Sequence, residues 1–143
     1  MKKALIAVVA VFVAWTVLDY VIHQLILAST YAATANLWRP MEEMRMGLLS
    51  VVTLISSFVF VFIYFCFFAE RGIGVGVKYG LLFGFGSGVS MAYGCFAVMP
   101  IPYHMALTWF LGTMVETTVA GAIVGAIVCG KSDSGGAEAG KAE

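Results

Sequence analysis

The sequence predicts an all-helical integral membrane protein, a bundle of four transmembrane helices with both termini in the cytoplasm. Three observations carry that expectation. Of 143 residues, 62% are apolar and 11% charged, with a mean hydropathy of +0.98, against roughly 45–50% apolar and 25% charged in an ordinary soluble domain. The chain also holds charge-free stretches of crossing length, and its basic residues divide unevenly between alternate loops. The apolar content excludes a disordered chain, and three cysteines without close spacing exclude a disulfide scaffold. Eight basic residues balanced by eight acidic ones exclude electrostatic nucleic-acid binding.

The first helix is expected over about residues 4 to 28, which are 25 residues with Asp19 as their single charge; a crossing needs roughly 20. The rival reading is a cleaved secretory signal with Lys2 and Lys3 as its basic region and Ala33-Thr34-Ala35 as its cleavage site. Asp19, Tyr20, His23, Gln24 and Tyr31 make the intervening segment too long and bulky for that, so the helix is expected to be retained. An outer loop, residues 29 to 45, comes next. Pro40 suits a first helical position, and Glu42 and Glu43 suit the positive end of a helix dipole. The second helix is therefore expected to start near residue 40 and project beyond the bilayer, its charge-free part covering residues 46 to 69. Its phenylalanines at 58, 60, 62, 65, 67 and 68 surround most of the helix and read as lipid-facing and core filler.

Residues 79 to 130 are 52 residues interrupted only by Glu116, enough for two spans. Pro100 and Pro102 break them, because proline lacks an amide donor and biases its predecessor away from helix. Helices are expected at about 75 to 98 and 105 to 129. Residues 1 to 130 then form one domain, and 131 to 143, rich in Gly, Ala, Ser and charge, a disordered cytoplasmic tail. Lys2, Lys3, Arg71, Lys78, Lys131 and Lys141 fall on one side and Arg39 and Arg45 on the other, which places the termini inside a bacterial-type inner membrane. Cys66 and Cys129 then face a reducing compartment, where no disulfide is expected.

The third helix carries glycine at 72, 76, 80, 84 and 88, and the fourth adds Gly121 and Gly125. Helices do not associate in lipid through the hydrophobic effect, so such small-residue faces promote close van der Waals packing. Gly76, Gly80, Gly84, Gly88, Gly121 and Gly125 are the expected packing residues. They could serve packing inside one bundle, or a homo-oligomer or partner-subunit seam along the third helix.

Asp19 and Glu116 are the carboxylates inside predicted spans, where an ionisable group is costly unless paired, protonated or hydrated. At 1.5 Å per residue, Asp19 lies roughly 13 to 14 Å below the outer end of its helix and Glu116 roughly 15 to 17 Å below that of its own. Ser56, Ser90 and Thr117 fall near the same level as neutral partners. Thr16, Asp19, Tyr20, His23 and Gln24 recur at helical spacing, as do Trp109, Thr113, Glu116 and Thr117, so both stripes are expected to face the bundle interior. His23, one turn outward of Asp19, is within reach of a hydrogen bond to it. Asp19, His23 and Glu116 thus form a candidate proton or cation site, with Arg39, Glu42, Glu43 and His104 as its outer mouth. The plainer reading makes the same groups interhelical hydrogen bonds that only lock the register.

Met41, Met44 and Met46 lie within two turns, and thioethers with an imidazole such as His104 suit Cu(I), so a copper site on the outer side is a further reading. Methionine is also a common gap filler. Haem between His23 and His104 is disfavoured by their different depths. Gly125 to Ser132 matches the phosphate-loop pattern G-x-x-x-x-G-K-S, yet it lacks the strand before and helix after that a nucleotide cradle needs, so no nucleotide binding is expected. Two functions are expected from these features: proton or cation handling at the intramembrane site, or a non-catalytic accessory or assembly subunit of a larger membrane complex.

Overall fold

The computed structural model describes residues 2–131. The expected tail therefore lies outside the described residues except for Lys131. In chain order the helices are α1 (Lys2–Ile26), α2 (Ala28–Ala33), α3 (Met46–Phe67), α4 (Ile73–Val98) and α5 (Tyr103–Ile127). All but the short α2 are long and apolar enough to cross a membrane. A two-residue ladder pairs β1 (Glu70–Arg71) with β2 (Gly130–Lys131) antiparallel, tying the start of α4 to the end of α5.

No glycine or proline interrupts α1. Its last six residues, Val21–Ile26, wind as a π-helix, closed by a hydrogen bond from the Leu27 amide to the Ile22 carbonyl at 3.0 Å. A second π segment, Val89–Tyr93, lies in α4. That helix ends at Met99, whose extended backbone is what the adjoining Pro100 demands. Pro102 caps α5, so α5 starts at Tyr103, two residues before the sequence expectation.

The second long helix does not start near residue 40. Pro40 is extended and leads into a 3-10 turn at Met41–Glu43, after which Met44 and Arg45 leave helical geometry. Residues 41 to 52 are all exposed, so an earlier turn would have no packed face to support it. Propensity alone does not sustain so short a helix.

The closest packing is between α4 and α5. A β-carbon at Gly76 would strike the Gly121 carbonyl, and one at Gly80 would strike the Thr117 carbonyl. At Gly84 it would meet the Thr117 hydroxyl, and at Gly88 the Phe110 ring at 3.2 Å. Gly121 and Gly125 return the contact against Gly76 and Gly72. The glycine face of α4 is thus occupied by α5 of the same chain and is not open as a seam for another copy or subunit.

On its other side α5 receives α1: Ile22 seats on Gly112, where an added β-carbon would stand 2.8 Å from Ile22 Cδ1. The Trp15 indole also donates to the Glu116 carbonyl at 2.9 Å. Aromatic rings bring in α3, with Phe60 4.5 Å from Tyr79 and 5.5 Å from Trp15 between centroids. At the end carrying the amino terminus, the Tyr64 hydroxyl donates to the Gly72 carbonyl and accepts from the Gly72 amide. Arg71 caps the end of α3 by donating to the carbonyls of Phe65 and Phe68.

Gly80→Leu should therefore lower the midpoint of thermal unfolding in detergent, by the equivalent of about 1–3 kcal/mol or more for overpacking. Gly86→Leu, where an added β-carbon meets nothing within 4 Å, should stay within about 0.5 kcal/mol. Equal midpoints for the two variants would refute the backbone contact as the source of the difference.

Candidate functional site

The core divides into two apolar clusters. One contains Val11, Trp15, Phe60, Tyr64 and Ala120 toward the amino-terminal end; the other contains Ile22, Leu27, Met105 and Trp109 toward the far end. Between them α1 and α5 place polar side chains. Trp15 fixes α1 against the Glu116 carbonyl, and one turn further along α1 Asp19 faces the side chain of Glu116. A cavity of about 50 Å³ results, lined by Asp19, His23, Met91, Trp109, Thr113 and Glu116. That volume holds one or two water molecules, at roughly 30 Å³ of liquid per water. Oε1 of Glu116 is buried there with no hydrogen-bond partner.

Asp19, His23 and Glu116 are therefore brought together, though not by the bond expected from sequence. His23 Nε2 lies 3.8 Å from Asp19 Oδ1, beyond a direct hydrogen bond. The other ring nitrogen, Nδ1, is 2.7 Å from the Tyr31 hydroxyl, and Trp109 Nε1–H donates to that same hydroxyl at 2.9 Å. An indole can only donate. With Tyr31 donating to Nδ1, the proton of a neutral His23 sits on Nε2, facing Asp19. Tyr31 stands on α2, outside the long helices. Burial raises its pKa above the ordinary 10.0, against the opposing hydrogen bond from Trp109, so its hydroxyl remains a donor throughout the neutral range.

The other expected members are elsewhere. Ser56 is exposed and Ser57 is buried in its place, bonded to the Thr53 carbonyl. Each residue turns a helix by about 100°, so a one-residue error exchanges inside for outside. Ser90 is exposed on α4. Thr117 is buried, but its hydroxyl is committed to the carbonyls of Thr113 and Met114, and it packs into Gly84. Thr16, Tyr20 and Gln24 do not face the bundle interior; they are exposed along a crevice between α1 and α3.

Arg39, Glu42 and Glu43 are exposed in the connecting loop, and His104 bonds to the Thr30 hydroxyl at 3.0 Å. None of these four lines the cavity. Met41, Met44 and Met46 are all exposed, at 73%, 36% and 54%. Among the described residues no three His, Cys, Asp or Glu side chains are disposed to hold a metal ion jointly. The phosphate-loop pattern begins inside α5, with Gly125 packed on the Gly72 carbonyl; its Ser132 lies outside the described residues.

Sequence reasoning missed Tyr31 as a member of this group. The signal available was one aromatic hydroxyl eight residues after a histidine, which carries little weight when a helix end intervenes. Compared with protein-family models, curated proteins and solved structures, the chain matches none of them.

Proposed function

We propose that the chain is a multi-pass protein of a bacterial-type inner membrane, with cytoplasmic termini, that handles a proton or small cation between Asp19 and Glu116. The observation that carries this reading is the pair of carboxyl groups on α1 and α5 facing one small cavity, where the side chains of Asp19 and Glu116 are within hydrogen-bonding reach of each other. Buried polar atoms are almost always hydrogen-bonded, and two carboxylates at close range cannot both keep their charge without a proton or cation between them. The orientation is supported by Arg71 and Lys131, which the β1–β2 ladder gathers at the end that also carries Lys2 and Lys3.

A proton suits the surroundings better than a metal ion held directly by protein. No three-ligand set is disposed for a metal among the described residues, whereas Trp109, Tyr31 and His23 form a hydrogen-bonded chain that ends beside Asp19. His23 then serves as the exchanging group and Tyr31 as its positioning residue. Proton transfer between His23 and Asp19 across 3.8 Å requires a small ring movement or one bridging water.

The accessory-subunit reading keeps one specific observation in its favour. From Met46 to Ser56, α3 packs against almost nothing in its own chain, so a partner helix would meet α3 and not the occupied glycine face of α4.

Asp19→Asn and Glu116→Gln should each reduce proton or cation flux into sealed proteoliposomes at least tenfold, with unfolding midpoints close to the parent. Unchanged flux in both variants, or no flux in the parent, would sink the ion-handling reading. Tyr31→Phe removes the donor to Nδ1 and should shift the His23 tautomer balance, read from its ring ¹⁵N chemical shifts, while leaving the helical content unaltered. An unchanged tautomer would show that Tyr31 does not orient the ring.

A further inference from the structure

The crevice between α1 and α3 is a larger space than the cavity, about 420 Å³, and the two share Asp19 and His23 in their walls. Its origin is the way α3 packs. In its half nearer the amino-terminal end Ser57, Phe60, Val61 and Tyr64 are buried, but from Met46 to Ser56 all residues are exposed except half-buried Thr53. The far half of α3 therefore stands away from α1. From Met46 to Thr53 the opening runs seven residues, about 10 Å at 1.5 Å per residue.

The α1 wall of this opening is polar and the α3 wall is mixed. α1 presents Thr16, Asp19, Tyr20, His23 and Gln24, and α3 presents the hydroxyls of Ser50 and Thr53 beside the apolar Met46 and Leu49. The opposite faces of the same turns carry Val17, Val21 and Leu25 on α1 and Val51, Leu54 and Ile55 on α3, all exposed. That second set is what lipid-facing positions require. A carboxylate, an imidazole, an amide and a phenol in contact with acyl chains are strongly disfavoured, and ionisable groups at membrane depth face a bundle interior or a water-filled space. The side chains of Asp19 and His23 retain 44% and 36% exposure.

We infer that the crevice is a water-filled vestibule, open on the side opposite the amino terminus, through which water and small ions reach Asp19, His23 and, behind them, Glu116. This inference rests on the reading of the long helices as membrane-spanning, and it adds to the proposed site the side and size limit of access. At about 30 Å³ per water the vestibule holds about a dozen molecules and the cavity one or two. Solutes larger than a partly hydrated alkali cation can therefore enter the first space but not the second. Toward the amino-terminal end Trp15, Phe60 and Ala120 are buried together.

The test is the reactivity of single cysteines in sealed vesicles, in a chain whose Cys66, Cys95 and Cys129 are replaced by alanine. Ser50→Cys and Thr53→Cys should react with a charged, membrane-impermeant thiosulfonate, applied to the side opposite the amino terminus, at rates within about tenfold of each other. Both should react at least a hundredfold faster than Leu54→Cys on the lipid-facing surface. A Thr53→Cys rate as slow as that of Leu54→Cys would overturn the vestibule, with lipid filling the crevice. Disulfide-linked dimers through Ser50→Cys would also overturn it, in favour of a second copy.

Should the cysteine-free chain fail to fold, hydroxyl-radical footprinting of the unaltered protein in nanodiscs supplies the same answer. Tyr20 should be modified within tenfold of Tyr103 at the start of α5, and protection of Tyr20 equal to that of lipid-facing Phe62 would overturn the inference. Labelling reads hydration and not flux. Fast labelling without flux sinks the ion-handling reading alone, and slow labelling with flux intact sinks the vestibule alone.

Discussion

The bundle depends on two backbones that touch. Where α4 lacks side chains, at Gly76, Gly80, Gly84 and Gly88, the carbonyls and β-carbons of α5 fill the space. For helices set in lipid, as proposed, no gain from leaving water draws them together, and this van der Waals contact would supply the association. It makes α5 the central helix, with α4 on one side and α1 on the other. The face left for α1 carries Trp109, Gly112, Glu116 and Ala120, at spacings of three and four residues. Its only ionisable member is Glu116, so the contact that builds the fold also sets a carboxyl group at the middle of the α1–α5 interface.

Register along that interface is fixed without help from the acids. Ile22 seats on Gly112, and the Trp15 indole is bonded to the Glu116 backbone carbonyl. These contacts lie on either side of Asp19. The Asp19 and Glu116 side chains add a hydrogen bond across the same interface, which requires one of the two carboxyl groups to carry a proton. Two acids where apolar side chains would pack give up stability unless they share that proton. Register does not depend on the pair, which is the support this interface lends to the proposed site.

The four long helices were legible because crossing length and charge exclusion are properties of composition, and prolines at 100 and 102 mark the break between the last two. Facing was much less legible. A soluble helix announces its inner side by apolar periodicity, but α3 is apolar all round, so nothing in the pattern separates Ser56 from Ser57, and on α1 one polar stripe holds Thr16, Tyr20 and Gln24 together with Asp19 and His23, so the pattern does not divide the crevice side from the bundle interior. The glycine spacing showed that some backbone comes close without showing whose. Proline and acidic residues at 40 to 43 gave a sound local signal for a helix start, which yielded to the absence of anything for that turn to pack on.

The two π segments bear on the chemistry as well as on the shape. Val21–Ile26 and Val89–Tyr93 belong to different helices, yet each contributes to the same cavity wall, through His23 and Met91. A π turn takes an extra residue and so rotates the succeeding turns relative to a regular helix; such irregular winding recurs at functional sites. Irregular backbone is tolerated at membrane depth where it is buried in protein or lines a cavity. Around His23 the outcome is a ring held by Tyr31 on one nitrogen and left 3.8 Å from Asp19 on the other. A closer approach would lock the pair into one ion-paired bond. The gap instead leaves room for the bridging water that the proposed proton handling requires.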